Sequence, residues 1–398
     1  MQQPLGFQHS NKSLVCRLHK AIYGLKQAPR QWFEKLKSTL VSFGFAVSRC
    51  DNSLFILNTN SYKIHVLVYV DDIVITGSSI EQIRKIITQL STTFALKQLG
   101  TLDYFLGIEV KSLSDGRLFL SQSKYVRDLL EKANMSNAKP INSPMVHTVK
   151  LTKEGSNHLE NPSLYRSIVG ALQYATITRP DIAYSVNKVC QFLANPLEEH
   201  WSAVKRILRY LVGTQNHGII FQPTIPASPL PITGFCDADW ASDCDDRKST
   251  SGACIFLGNN LITWWSKKQT TISRSSTEAE YRSMALLAQE LQWVQSLLLE
   301  LNFSFSAPLV LCDNLSTVSL SHNPVLHQRT KHIELDLFFV RDKVQDKKLV
   351  VKHIPANLQT ADILTKALSS TRFQFLKQKL RVIDVHEATN SSSNKNSP

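Results

Sequence analysis

Paired cysteines are missing from this sequence. Its seven cysteines, at positions 16, 50, 190, 236, 244, 254 and 312, are odd in number and never fall into a CxxC spacing. That argues against a disulfide framework or a structural zinc site and fits a reducing compartment. The twelve histidines show no paired metal-ligand spacing either. The N-terminus Met1–Ser13 has no apolar run, so no secretory signal is expected. The longest uncharged apolar stretch, about Ile64–Val70, is far short of the roughly 20 residues that a bilayer span requires. No internal repeat is visible. These absences predict a soluble, intracellular protein with no membrane partner.

What is abundant is positive charge. Lys and Arg number 45 against 32 Asp and Glu, a net charge of +13. Such a surplus favours a polyanionic partner, because each phosphate contact releases counterions. A basic but merely soluble protein fits the number equally well. With 398 residues the chain has room for about two to four domains, each with its own core.

The pattern divides into blocks. Residues 1–135 mix helical and strand periodicities. The stretch 136–164 is rich in Asn, Ser, Pro and Lys and reads as an extended connection. From Tyr165 to Val212 apolar residues recur at helical spacing, with Arg179-Pro180-Asp181 as a break between helices. Prolines 223, 226, 229 and 231 mark a boundary. Beyond it, Ile232–Trp240, Ser251–Leu257 and Leu261–Ser266 read as three successive strands. A long helix is predicted over about Ser276–Leu301, then a strand at Leu309–Cys312 and a helix over about Ile333–Val344. A strand at Leu349–Ile354 and a short helix over about Gln359–Ala367 follow. The tail from Thr389 is polar and is predicted to be disordered. The expected domains are 1–135, a connection 136–228, a mixed-sheet domain 229–370, and a C-terminal helix with a disordered tail, 371–398.

Two groups of acids stand out. Asp71 and Asp72 sit between the apolar runs Ile64–Val70 and Ile73–Ile75. A plain hairpin prefers Asn-Gly or Asp-Gly there. Adjacent carboxylates at a strand tip repel each other, and a divalent cation relieves that repulsion; an exposed acidic turn is the simpler account. The second group lies in the last block. Asp237 is on its first strand, Glu280 at the start of the long helix, Asp313 at the end of a buried strand, and Asp362 at the start of the last helix. Ends of strands and helices are where sites in mixed sheets gather. Each acid also has a local explanation: Glu280 and Asp362 would meet a helix dipole, and Asp313 with Asn314 would make a turn. Strand alternation puts Asp237 and Asp239 on one face, so spacing does not choose between them.

Several motifs resemble copia-type LTR retrotransposon Pol proteins. Tyr69-Val70-Asp71-Asp72 is similar to the catalytic box of reverse transcriptases. The run Leu18–Phe33, with Tyr23–Phe33 as its most specific part, is similar to the motif that precedes that box. Tyr104–Glu109, Leu120–Tyr125, Leu164–Leu172 and Thr178–Ile182 extend the resemblance, which covers residues 3 to about 380. It implies an α/β and α+β multidomain fold: a partial reverse transcriptase palm and thumb, a helical connection, and an RNase H-like mixed β-sheet domain with helices. It also implies that Asp237, Glu280, Asp313 and Asp362 hold two Mg²⁺ ions, with Mn²⁺ as a substitute, for cleavage of RNA in RNA–DNA hybrids. The family register selects Asp237 over Asp239 and Glu280 over Glu278, and Ala361-Asp362-Ile363-Leu364-Thr365-Lys366 supports the fourth ligand.

In the same family Asp71 and Asp72 are metal ligands of the polymerase. Its third carboxylate lies upstream of a segment resembling Gln3–Phe7, and no Asp or Glu precedes Glu34 here. Loss of polymerisation by this chain is therefore expected. Gly24, Lys26, Gln27, Pro29 and Arg30 would contact template and primer. Arg329, Lys331 and His332 would lie near the nuclease site, where a plain basic loop before a helix is the alternative. Phe338 stands where family members often carry another His. Lys205, Arg206 and Arg209 are further candidate phosphate contacts, and Trp264 and Trp265 candidate stacking residues. The implied setting is a cytoplasmic retrotransposon particle or the nucleus. A degenerate relic that only binds nucleic acid would keep the same acids, and a different two-metal nuclease is a third possibility that the order of elements disfavours.

Overall fold

A computed structural model describes every residue except 1, 2, 4, 16, 18–21, 23, 149, 224–228, 324–332 and 394–398, and except the side chains of 391–393. Two compact units are present: Met1–Gly100 with Leu299–Asn302, and Thr101–Leu298 with Phe303–Pro398. No helix among the described residues is long and apolar enough to cross a membrane.

The first unit contains α1 (Ala28–Ser42), β1 (Ala46–Val47), β2 (Leu54–Asn58), β3 (Lys63–Tyr69), β4 (Asp72–Gly77) and α2 (Ile80–Thr93). The strands form one antiparallel sheet in the order β1-β2-β3-β4. Pro29 starts α1, where its missing N–H and fixed φ are harmless. Ser79 caps α2 by accepting from the Gln82 N–H. Strand β3 alternates, burying Ile64, Val66 and Val68, and these pack with Leu36 and Leu40 of α1 and Ile86 and Leu90 of α2.

The second unit continues with β5 (Tyr104–Phe105), β6 (Ile108–Ser112), β7 (Leu118–Ser121), α3 (Ser123–Lys132), α4 (Pro162–Ala175), α5 (Ala183–Cys190), α6 (Glu198–Val212) and β8 (His217–Phe221). Next are β9 (Ile232–Asp239), β10 (Thr250–Leu257), β11 (Asn260–Lys268), α7 (Ser276–Glu300), β12 (Leu309–Cys312), α8 (Leu315–His322), α9 (Glu334–Gln345) and β13 (Val350–His353). The chain closes with α10 (Ser370–Lys379), β14 (Val382–Asp384) and α11 (Val385–Ser393). One sheet runs β14-β8-β7-β6-β5; the other runs β11-β10-β9-β12-β13. In the latter β9, β10 and β11 are antiparallel, while β12 runs parallel to both β9 and β13. The fold is thus a multi-sheet mixture of α/β and α+β parts, as the resemblance implies.

Strand β10 is buried on both faces, which explains its unbroken apolar run. Ala253 and Ile255 face a core with Tyr281, Met284 and Leu291 of α7. Cys254 and Phe256 face a second core with Val204, Ile207 and Leu208 of α6 and Leu376 of α10. Gly252 permits a close approach: a side-chain carbon there would come within 2.7 Å of Leu364 Cβ.

The Thr178–Ile182 motif has an architectural explanation. Arg179 and Asp181 are both buried and paired, with Nε and one terminal nitrogen 3.0 and 2.8 Å from the two carboxylate oxygens. Arg179 also donates to Thr214 O and Oγ1, and the Tyr210 hydroxyl donates to Asp181. Burial pushes the Asp181 carboxyl up, but the guanidinium outweighs it and holds the pKa down at about 2.

Four expectations are corrected. Helix α8 went unpredicted, because Leu315–His322 has almost no amphipathic pattern to read. The last element before Ser370 is a pair of 3-10 turns, Ala356–Leu358 and Thr360–Leu364, not an α-helix. The C-terminal region adds a strand, β14, to the predicted helix. Residues expected to begin a disordered tail at Thr389 continue α11 to Ser393.

Candidate active site

The four acids of the last block come from four separate elements. Asp237 lies on β9, Glu280 on α7, Asp313 directly after β12, and Asp362 on the Thr360–Leu364 turn. Adjacent parallel pairing of β9 and β12 brings the first and third together, and Gly252 lets the turn lie against β10. Oxygens of Asp237, Asp313 and Asp362 all lie within 4.8 Å of one another. A second group under the same bound is Glu280, Cys312 and Asp313, so Asp313 belongs to both. Asp237, Glu280 and Asp362 are buried, and Asp313 is half-buried.

Polar side chains hold this arrangement in place. Ser283 Oγ donates to Asp237 O at 2.8 Å, tying α7 to β9. The fully buried Gln359 donates to Cys236 O at 2.9 Å and to Asp313 at 3.4 Å. Thr365 Oγ1 donates to the Asp237 carboxylate. Lys366 Nζ is 2.8 Å from Asp362 Oδ1 and 3.3 Å from Asp237 Oδ2. Arg372 lies 3.0 Å from the other Asp362 oxygen.

Two cations thus face four acids, and full ionisation would leave two negative charges unmatched. Glu280 shows the consequence. Burial, then the charges of Asp237, Cys312 and Asp313, push its pKa up to about 11. Asp313 is also raised, by burial and then by Asp237. Bringing buried hard oxygen donors together at this spacing, with their mutual repulsion only half compensated by Lys366 and Arg372, fits a divalent cation of the Mg²⁺ type. The donor set therefore passes the chemical test for such an ion.

The neighbouring acids do not join this group. Glu278 lies in the first turn of α7, accepts from the Arg274 N–H and pairs with Arg282, both at 2.7 Å. It is Glu278, not Glu280, that meets the helix dipole. Asp239 ends β9, and among the described residues no three-ligand group includes it.

The other acid pair has a different setting. Asp71 and Asp72 lie at the tight β3–β4 hairpin, where Tyr69 pairs with Asp72, and both are exposed. Val70 takes φ +53°, a left-handed conformation that is strained for a β-branched residue. Trp32 Nε1 donates to Val70 O at 2.7 Å, so the first turns of α1 brace the hairpin. Among the described residues no third carboxylate gathers with Asp71 and Asp72. Gly24, Lys26, Gln27, Pro29 and Arg30 are all exposed; Gly24 takes φ +91°, and Gln27 precedes α1.

Arg329, Lys331 and His332 fall outside the described residues. Arg206 and Arg209 are engaged locally, with Ser143 Oγ and Lys139 O, which weakens their candidacy as phosphate contacts. Trp264 donates to Thr176 O and packs on one core, while Trp265 packs on the other. From the sequence, no role at the site is assigned to Ser283, Gln359, Thr365, Lys366 or Arg372. Gln359, Thr365 and Lys366 lie within four positions of Asp362, and the last two close the motif Ala361–Lys366.

Residues 1–147 match the family model described as reverse transcriptase (RNA-dependent DNA polymerase). Over 97% of its length the chain is 47% identical to the retrovirus-related Pol polyprotein from transposon RE2 of Arabidopsis thaliana, of which it covers 26%. It is 39% identical, over 95% of its length, to the corresponding polyprotein from transposon TNT 1-94 of Nicotiana tabacum and covers 29% of it. The chain therefore spans between a quarter and a third of these relatives. A putative transposon Ty5-1 protein of Saccharomyces cerevisiae is 33% identical and is covered over 91% of its length. Among solved structures, LC11-RNase H1 in complex with an RNA/DNA hybrid gives a TM-score of 0.27 at 17% identity, covering 34% of this chain and 93% of that one.

Proposed function

Because the chain belongs to the copia-type retrotransposon Pol family, we propose that its second unit hydrolyses the RNA strand of RNA–DNA hybrids with the help of divalent cations. The observation that carries this reading is the convergence of Asp237, Glu280, Asp313 and Asp362, from four elements, into two overlapping groups that share Asp313. Bound at these carboxylates, Mg²⁺ or Mn²⁺ would activate water and stabilise the leaving 3′ oxygen. The chain's own residues do the rest. Asp237 and Asp313 present oxygens from a rigid sheet, and Ser283 and Gln359 fix the strands that carry them. Burial keeps the carboxylates out of bulk water, and in that lower dielectric their charges act more strongly. The basic surplus holds the hybrid through its phosphates.

In this reading residues 1–135 derive from the polymerase, 136–228 form a connection and 229–370 carry the nuclease. The partners are RNA–DNA hybrid and template–primer nucleic acid, in a retrotransposon particle or the nucleus. Asp71 and Asp72 lack a third carboxylate among the described residues, so the 398-residue chain is proposed not to extend primers.

One preparation tests both halves. With Mg²⁺ the purified chain should cut a labelled hybrid, and Asp237→Asn and Asp313→Asn should each lower the rate by at least about a hundredfold, the upper end of effects seen for groups that merely orient metal ligands. On a primed RNA template it should add no nucleotides. An intact hybrid, or equal cutting by the variants, would overturn the nuclease reading; robust extension would overturn the polymerase half.

A further inference from the structure

Lys366 and Arg372 both pair with Asp362, yet they are held very differently. Arg372 is fixed: besides Asp362 it donates to the carbonyls of Ala356, Asn357 and Gln359, and its guanidinium lies over the Phe375 ring. It staples the turn. Lys366 has no such anchorage. Among the described residues its ammonium pairs with Asp237 and Asp362 alone, and 37% of its side chain remains exposed. Those two carboxylates are buried and belong, with Asp313, to one of the two ligand groups. A lysine ammonium is a compact point charge on a flexible four-carbon stem, suited to leaving as well as arriving.

We propose that Lys366 is an exchangeable internal counter-ion, which neutralises the Asp237–Asp362 pair before a divalent cation arrives and is displaced toward solvent when the cation binds. The inference rests on the nuclease reading and adds a loading step to it. Two requirements support the exchange. A hard divalent ion needs carboxylate oxygens at roughly 2.0–2.6 Å, and Asp237 and Asp362, two of the carboxylates grouped there, are the ones the ammonium contacts. A second positive charge at that spacing would repel it. Displacement leaves Asp237 still bonded to Thr365 and Asp362 still bonded to Arg372, so both ligands stay oriented. The departing ammonium then sits at the edge of the site, free to pair with a phosphate of the substrate.

The test needs no turnover. The intact chain is treated briefly with an amine-acylating reagent, with and without saturating Mg²⁺, and lysine modification is read by peptide mass spectrometry. Lys366 should become several-fold more reactive with Mg²⁺. Lys268, bound to Asp243 and Asp246, should not change. In parallel, the Mg²⁺ dissociation constant read by titration calorimetry should fall about fivefold in Lys366→Met, as loss of two partly exposed ion pairs predicts. Calorimetry separates the failures. If Mg²⁺ binds, and binding is lost in Asp362→Asn, but Lys366 reactivity stays constant, the exchange is overturned while the metal site stands. If no Mg²⁺ binds, the nuclease reading falls and the exchange falls with it. Should Lys366→Met fail to fold, the labelling of the wild-type chain decides.

Discussion

Asp71 and Asp72 project from an exposed hairpin, whereas Asp237, Glu280 and Asp362 are withdrawn from water behind a two-faced sheet. Water screens the first pair, so the chain tolerates adjacent charges with nothing more than a braced turn. The second group cannot rely on water. It is surrounded by Thr365, Lys366, Gln359 and Arg372, and one of its members is still pushed far toward its neutral form. The difference teaches that an acidic motif is informative in proportion to its burial. A buried set of carboxylates forces a compensating partner, while an exposed set forces none.

The largest effect that probes this contrast comes from the Arg179–Asp181 pair. Asp181→Ala leaves a guanidinium buried without its carboxylate and should cost about 3–5 kcal/mol of unfolding free energy. Asp71→Ala should stay within about 0.5 kcal/mol. Urea unfolding of the two variants reads the gap; equal losses would break the comparison.

A pH-dependent effect of at most comparable size belongs to Glu280. Its folded pKa lies above that of an unfolded glutamate, so folding favours the protonated form. The stability this supplies is complete below about pH 4 and is lost as pH climbs toward about 11. In chelator, wild type should therefore lose melting temperature relative to Glu280→Gln as pH rises from about 5 to about 8, and Mg²⁺ should narrow the gap. A gap that ignores pH would mean the carboxylate ionises in place without penalty.

The smallest effect is at the exposed hairpin. Val70→Gly removes a β-branched residue from φ +53° and should stabilise by up to about 1 kcal/mol, less the extra chain entropy of glycine. A thermal melt that moves downward would show that Val70 earns its place by packing.

Much of this fold was legible in the chain itself. Short strand-like segments separated by turn residues located β9 to β11, and the apolar stripe from Tyr281 to Leu298 located α7. What escaped has a physical reason. Leu315–His322 carries too weak a period to mark a helix, and β14 exists only through pairing with a strand about 160 residues earlier. The four acids were individually ambiguous, and the family register, not spacing, separated Asp237 from Asp239. The pairing of the two cations was not legible, because Lys366 and Arg372 meet the acids only when the Thr360–Leu364 turn closes on β9 and β10.

The β8–β14 pairing brackets everything from Ile232 to Lys379 between two neighbouring strands of one sheet. During synthesis on the ribosome, β8 must wait as an open edge until Val382–Asp384 emerges. A stop codon shortly before residue 382 would spare all four acids and every residue that supports them, yet leave that edge exposed to pair with another molecule. Loss of the chain beyond about residue 381 would therefore bare a strand edge while leaving the acid cluster untouched.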